Sequence, residues 1–141
     1  MPSVSTQRFG DLEYQETSTV LFPSGLPGFE QCRRFVLINQ PALEPITFLQ
    51  SLESPELCFL TIPVQVIDPN YRSTLSEEDE AVLKSQERVW LAILAPAENG
   101  LTANLVAPLV INPRTRVGVQ AIRTDQLYSH CHPLVETAPC S

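Results

Sequence analysis

The sequence predicts a mostly β, small single-domain, barrel-like fold with one short helix, and three observations predict it. About nine apolar, β-branched runs of strand length follow one another, each closed by a turn signal. Thirteen prolines are spread along the 141 residues. They argue against long helices, because an interior proline removes a donor and clashes with the preceding turn. One segment alone, "STLSEEDEAVLK", carries the start, body and end of a helix.

The elements follow in order. "TQRFGDLEYQ" reads as a hairpin turning at Gly10-Asp11, with Leu12 and Tyr14 alternating with Asp11 and Glu13. "TVLF", Thr19 to Phe22, is a strand, and "LFPSGLPGFEQ" bends away from it. "FEQCRRF" has room for one helical turn at most, and "RFVLIN" is a buried strand. "ITFLQSL" and "LCFLTIPVQVI" are two more strands, parted by the turn signal "ESPE". Pro63 sits late in the second, where it marks a bulge or an edge.

In the helical segment, Ser76 followed by Asp79 resembles a capping box with Asp in place of Glu or Gln. Carboxylates at 77–80 fill the first turn, where the helix dipole favours negative charge. "RVWLAILA", Arg88 to Ala95, is an apolar run suited to the centre of a sheet. "LTANLVAPLVIN" contains one strand, a break at Pro108 and a second strand. "NPRTR" is a turn and "VGVQAI" the next strand. Periodicity is lost from Leu127, so the expected core is about residues 7–134, with 135–141 a flexible tail. Each strand is expected to keep one polar face. Removal of open edges then favours a small barrel or a strongly curved sheet.

Composition narrows the function. The formal charge is −7, with one lysine, Lys84, among nine basic residues. Binding bare nucleic acid requires clustered Lys and Arg to release counterions from phosphates, so no direct nucleic-acid partner is expected. An acidic surface suits a basic protein partner, and equally serves solubility. "MPSVSTQRFGDLEYQ" has no leader features, and no run approaches the roughly 18 apolar residues of a membrane span. A cytoplasmic protein without membrane contact is expected. Cys32, Cys58, Cys131 and Cys140 form no CxxC pair and read as free thiols.

Each candidate site has a plain structural alternative. The glycines of "LFPSGLPGFEQ" lack the helix N-terminus and lysine of a phosphate loop, whereas Pro27-Gly28 matches the centre of a type II turn. Leu26 and Phe29 either fold that loop onto the barrel or stand out as contact residues. "HCH", His130 to His132, with Cys140 nearby, lacks the paired spacing of a structural zinc site, so no metal is assigned. No nucleophile elbow is present, and Glu77, Glu78, Asp79 and Glu80 read as a charged helix start rather than an acid–base pair. The residues therefore point to a binding protein with no cofactor. A small-ligand or enzymatic barrel using its mouth as a pocket is the rival class, and a domain stabilised by metal at the histidine–cysteine tail is a third.

Taken together, "RFGDLEY", "LFPSGLPGFE", "RFVLI", "FLQSLESPELCF", "VIDPNY", "LSEEDEAVL", "LTANLVAPLVIN" and "HPL" resemble the bacterial flagellar assembly factor family, FliW, across roughly Arg8 to Leu134. The resemblance implies a small cytosolic β-barrel-like protein that is neither an enzyme nor cofactor-dependent. It implies a chaperone-like grip on flagellin before export. It further implies that the freed factor binds the translational regulator CsrA and relieves repression of flagellin synthesis. On that basis Glu77, Glu78, Asp79 and Glu80 are the expected CsrA contact. The "LPGF" loop (Leu26, Phe29) and "TANLVAP" (Asn104) are the positions to test for flagellin. Asn104 has an equally simple reading as a buried hydrogen-bonding residue.

Overall fold

The computed structural model describes residues 2–84, 86–98 and 100–134. Ten strands and two short α-helices are assigned among them: β1 (Ser3–Thr6), β2 (Gly10–Glu13), β3 (Thr19–Leu21), β4 (Arg34–Asn39), β5 (Thr47–Ser51), β6 (Cys58–Pro63), α1 (Val64–Ile67), α2 (Glu77–Leu83), β7 (Val89–Ala97), β8 (Gly100–Asn112), β9 (Val117–Gln120) and β10 (His132–Pro133). Strands β3 to β9 form a ring. Neighbours run antiparallel from β3 through β9, and the ring closes where β9 meets β3 in parallel at Leu21 and Val117. The predicted barrel is therefore observed, with seven strands. β10 adds to β8 outside the ring, pairing His132 with Ala103 and Pro133 with Thr102.

The sheet carries two apolar layers, one on each face. Inside, Val20, Phe22, Phe35, Leu49, Leu91, Leu109 and Ile111 pack together, drawn from strands around the ring. Phe22 meets Phe35 edge-on with centroids 5.6 Å apart. The barrel interior is thus filled by side chains, as expected for a small barrel. Outside, Trp90, Ala92 and Leu94 of β7 are covered by Val64, Tyr71 and Leu83. The hairpin β1–β2 covers another part of the outer face: Phe9 lies edge-on to Phe48 at 5.4 Å, and Gln7 N–H donates to Pro55 O at 2.9 Å.

This second layer corrects the expectation of one polar face per strand. Phe48, Leu49, Gln50 and Ser51 are buried in succession, as are Trp90, Leu91 and Ala92. A strand covered on both faces reads as a continuous apolar run, which is how β7 reads.

Two boundaries also differ from the sequence reading. "LCFLTIPVQVI" stops being a strand at Pro63, and Val64–Ile67 forms a single helical turn. Proline has no N–H for a ladder but suits the position before a helix. "LTANLVAPLVIN" is one bent strand rather than two. Its register on β7 jumps between Leu91–Leu109 and Ile93–Asn104, leaving residues 105–108 bulged out.

The helical prediction holds in detail. Ser76 Oγ accepts the Asp79 N–H at 3.1 Å, and Lys84 ends α2 with left-handed backbone, φ 58°. Asn112 ties this end to the barrel: its Nδ2 donates to Leu83 O at 2.7 Å, and its Oδ1 accepts the Arg114 N–H at 2.9 Å.

Candidate protein-docking site

The loop after β3 is a chain of tight turns. Gly25 N–H donates to Phe22 O (2.8 Å), Phe29 N–H to Leu26 O (2.7 Å) and Cys32 N–H to Phe29 O (2.9 Å). Gly28 has φ +86°, which fits the predicted turn with Pro27-Gly28 at its centre. Gly25 is needed for a second reason. A Cβ there would lie 2.6 Å from the Glu30 backbone, and its φ is +70°. The main chain at 25 and 30 is packed too closely for any side chain.

The loop and α2 face each other across a groove of about 320 Å³ that opens to solvent. Pro23–Gly25, Pro27 and Glu30 line one side, Glu78, Asp79 and Val82 the other, and Gly118–Gln120 of β9 the floor. Glu30, Glu78 and Asp79 are its charged residues, and no basic side chain lines it. Gly118 lets the floor close: a Cβ at that position would meet the Phe22 ring at 2.7 Å.

The sequence-derived residues fall in different surroundings. Leu26 is 2% exposed and packs in the barrel interior. Phe29 is 42% exposed, edge-on to Phe59 at 5.6 Å, and lines a neighbouring cavity of about 290 Å³ with Glu56 and Leu57. Glu77 and Glu78 are exposed and carry no ion pair among the described residues. Asp79 is half-buried, and that burial pushes its carboxyl above the ordinary range, with Ser76 opposing and Glu78 adding to the shift. Glu80 is bound to Arg88. The four acids are thus not one uniform patch: two are free, one is partly enclosed and one is neutralised.

Asn104 lies away from the groove. Its Oδ1 accepts the N–H of Val106 (3.0 Å) and of Ala107 (3.1 Å), holding the bulge where β8 leaves β7. The histidine–cysteine segment is partly strand: His132 pairs with Ala103, and Cys131 N–H donates to Ser129 Oγ at 3.0 Å. Among the described residues no group of His, Cys, Asp or Glu is gathered as for a metal ion. Cys140 and the predicted tail lie outside the described residues. Cys32, Cys58 and Cys131 are free, and burial pushes the Cys58 thiol up against the opposing pull of Arg8.

Two features escaped the sequence reading. One is Glu30, which reaches the groove only because the turns fold back. The other is the buried Arg123, its side chain 3% exposed, paired with Asp125 at 2.7 Å and donating to Arg72 O. Its guanidinium lies 5.0 Å from the Tyr71 ring centroid and 4.8 Å from that of Tyr128. Tyr128 and Asp125 are near in sequence, but the acceptor carbonyl of Arg72 and the Tyr71 ring come from a distant segment, so no local motif announces the whole contact.

Known proteins match this architecture. A family model described as FliW protein matches residues 3–134. The chain is similar to the flagellar assembly factor FliW of Syntrophomonas wolfei, 35% identical over 141 residues, covering 96% of this chain and 90% of that one. It is also similar to the factor of the same name from an Azoarcus species, 36% identical over 125 residues, covering 81% and 86%. A crystal structure of the flagellar assembly factor FliW superposes with a TM-score of 0.85 at 34% identity, covering 93% of this chain and 95% of that one. With the seven-strand ring, the turn-built loop and the capped helix all in place, the chain belongs to the FliW family of flagellar assembly factors.

Proposed function

We propose that this protein works by holding other proteins: flagellin before export and, when free of flagellin, the translational regulator CsrA, whose repression of flagellin synthesis it relieves. It acts in the cytoplasm without turning over a substrate. The observation that carries this reading is the pair Glu77 and Glu78, exposed and unpaired among the described residues at the edge of an acidic groove. CsrA binds RNA, so its working surface is expected to be basic. An acidic partner beside such a surface speeds encounter and repels incoming RNA. Phe29, exposed beside Glu30, offers the apolar surface for an amphipathic flagellin helix. The rival ligand-carrier reading loses support, because the barrel interior is occupied by Phe22, Phe35, Leu49 and Leu109.

The test is association kinetics with purified CsrA and purified flagellin. Reversing Glu77, Glu78, Asp79 and Glu80 to lysine is expected to slow CsrA association about tenfold at low salt and to flatten its salt dependence. Phe29→Ala is expected to weaken flagellin more than CsrA. Unchanged CsrA association at low salt would remove α2 from the contact.

A further inference from the structure

Strand β9 has an edge with no partner strand among the described residues beyond Leu21. It is enclosed at the buried Gly118, where α2 packs on β9, and exposed at Ile122. Ala121 N–H donates to Pro108 O and Arg123 N–H to Val106 O, each at 2.8 Å. In an antiparallel ladder the facing groups alternate, so residues 117, 119, 121 and 123 point their main-chain groups at β8. Those of 118, 120 and 122 point the other way. On that side β3 supplies Leu21, whose N–H reaches Arg116 O at 2.8 Å, and then departs: Phe22 N–H turns to Arg33 O. Among the described residues, nothing pairs with Gly118 C=O or with the N–H and C=O of Gln120 and Ile122. The groove between Pro23–Gly25 and α2 lies along the start of this edge.

Natural sheet edges are usually covered or guarded by lysine, because an unpaired edge is a template for another strand. Here the acids Glu30, Glu78 and Asp79 flank it. We propose that this edge takes an extended segment of a partner protein as an added strand, with a lysine or arginine of that segment held against Glu30, Glu78 and Asp79. The inference rests on the reading above only in treating this face as the one that meets partners. Main-chain pairing supplies the affinity in such strand addition, and side-chain pockets supply the selection. Charge decides the occupant: residues 135–141 of this chain carry one acid and no base, so they are the wrong segment for the groove.

The test uses the full chain, isotope-labelled, and a blocked heptapeptide of alternating lysine and valine. The amide signals of Gly118, Gln120 and Ile122 are expected to move on titration. Methylating alternate main-chain nitrogens of the peptide, or Gln120→Pro, each removes pairing and is expected to weaken binding about tenfold. Glutamate in place of the peptide lysines is expected to abolish binding. If Gln120→Pro does not fold, the methylated peptide reads the same bonds. Equal binding of the methylated peptide, or movement elsewhere with 118–122 still, overturns the proposal. So do concentration-dependent shifts of those amides without peptide, which would give the edge to a second copy. Protein that binds flagellin and CsrA but ignores the peptide refutes this site alone. Protein that takes the peptide but neither partner refutes the partner assignment and supports the site.

Discussion

Where β8 leaves β7, at residues 105–108, the released main-chain groups are taken up again: Leu105 N–H donates to Ser129 O, and Pro108 and Val106 accept from Ala121 and Arg123. Where β3 leaves β9, beyond Leu21, no strand among the described residues replaces it. The first interruption is closed by the chain's own return segment and locked by Arg123, which packs against the touching rings of Tyr71 and Tyr128. The second is flanked by a turn-built loop and by the acidic α2, which packs on β9, with the groove between loop and helix. Unpaired polar groups cost little only where water or a partner reaches them. The contrast sets a part of the barrel closed by its own chain against the part where the proposed partner segment would add.

Four changes test that contrast, from the largest effect to the smallest. Gly25→Ala places a Cβ against the Glu30 backbone at positive φ, and is expected to cost about 3 kcal/mol in chemical denaturation while deforming the groove wall. Arg123→Ala strikes the closed interruption. It uncovers the touching rings of Tyr71 and Tyr128 and leaves the Arg72 carbonyl with the Thr74 N–H as its remaining donor, for about 2–3 kcal/mol, with peptide binding at the groove unchanged. Asp125 is exposed, so its ion pair adds little to that loss. Ser76→Ala removes the cap of α2 and is expected to cost about 1 kcal/mol by the same measurement.

The smallest effect is one of pH. Burial raises the Asp79 carboxyl above its ordinary value of 3.8, so the folded state holds that proton more tightly than the unfolded chain. Stability contributed by this group therefore falls as the pH rises from about 3.8 through the raised value. Asp79→Asn is expected to remove that slope, seen as a flatter plot of denaturation midpoint against pH. A bound cation in the groove should also lower the raised value, because it favours the carboxylate.

Local chemistry was legible in the sequence, and mutual coverage was not. Ser76, the carboxylates after it and Lys84 marked both ends of α2, because capping is settled within one turn of chain. Pro27-Gly28 marked its turn for the same reason. The strands of the ring were legible from their apolar runs, and the irregularity in β8 from Pro108. What the sequence did not reveal depends on distant partners. The outer layer over β5 and β7 comes from the hairpin and from residues 64–83, so the burial of Phe48 and Trp90 on that face has no local signal. Val64–Ile67 resembled strand because Val64, Val66 and Ile67 are β-branched, and Pro63 decided otherwise. At the site, Glu78 was found as part of a charge run. Glu30 and the edge at 118–122 without a partner strand exist only because β3 ends early. Leu26 looked exposable in a loop but fills the interior beside Phe22.

The left-handed terminus of α2 has a practical consequence. Lys84, at that turn, is exposed and is the chain's one lysine. An amine-reactive fluorophore therefore has a single side-chain target, placed just past the helix that walls the groove. With the α-amine first blocked near neutral pH, where it is the more reactive amine, labelling of the unmutated protein yields a reporter whose emission responds to arrivals at that wall.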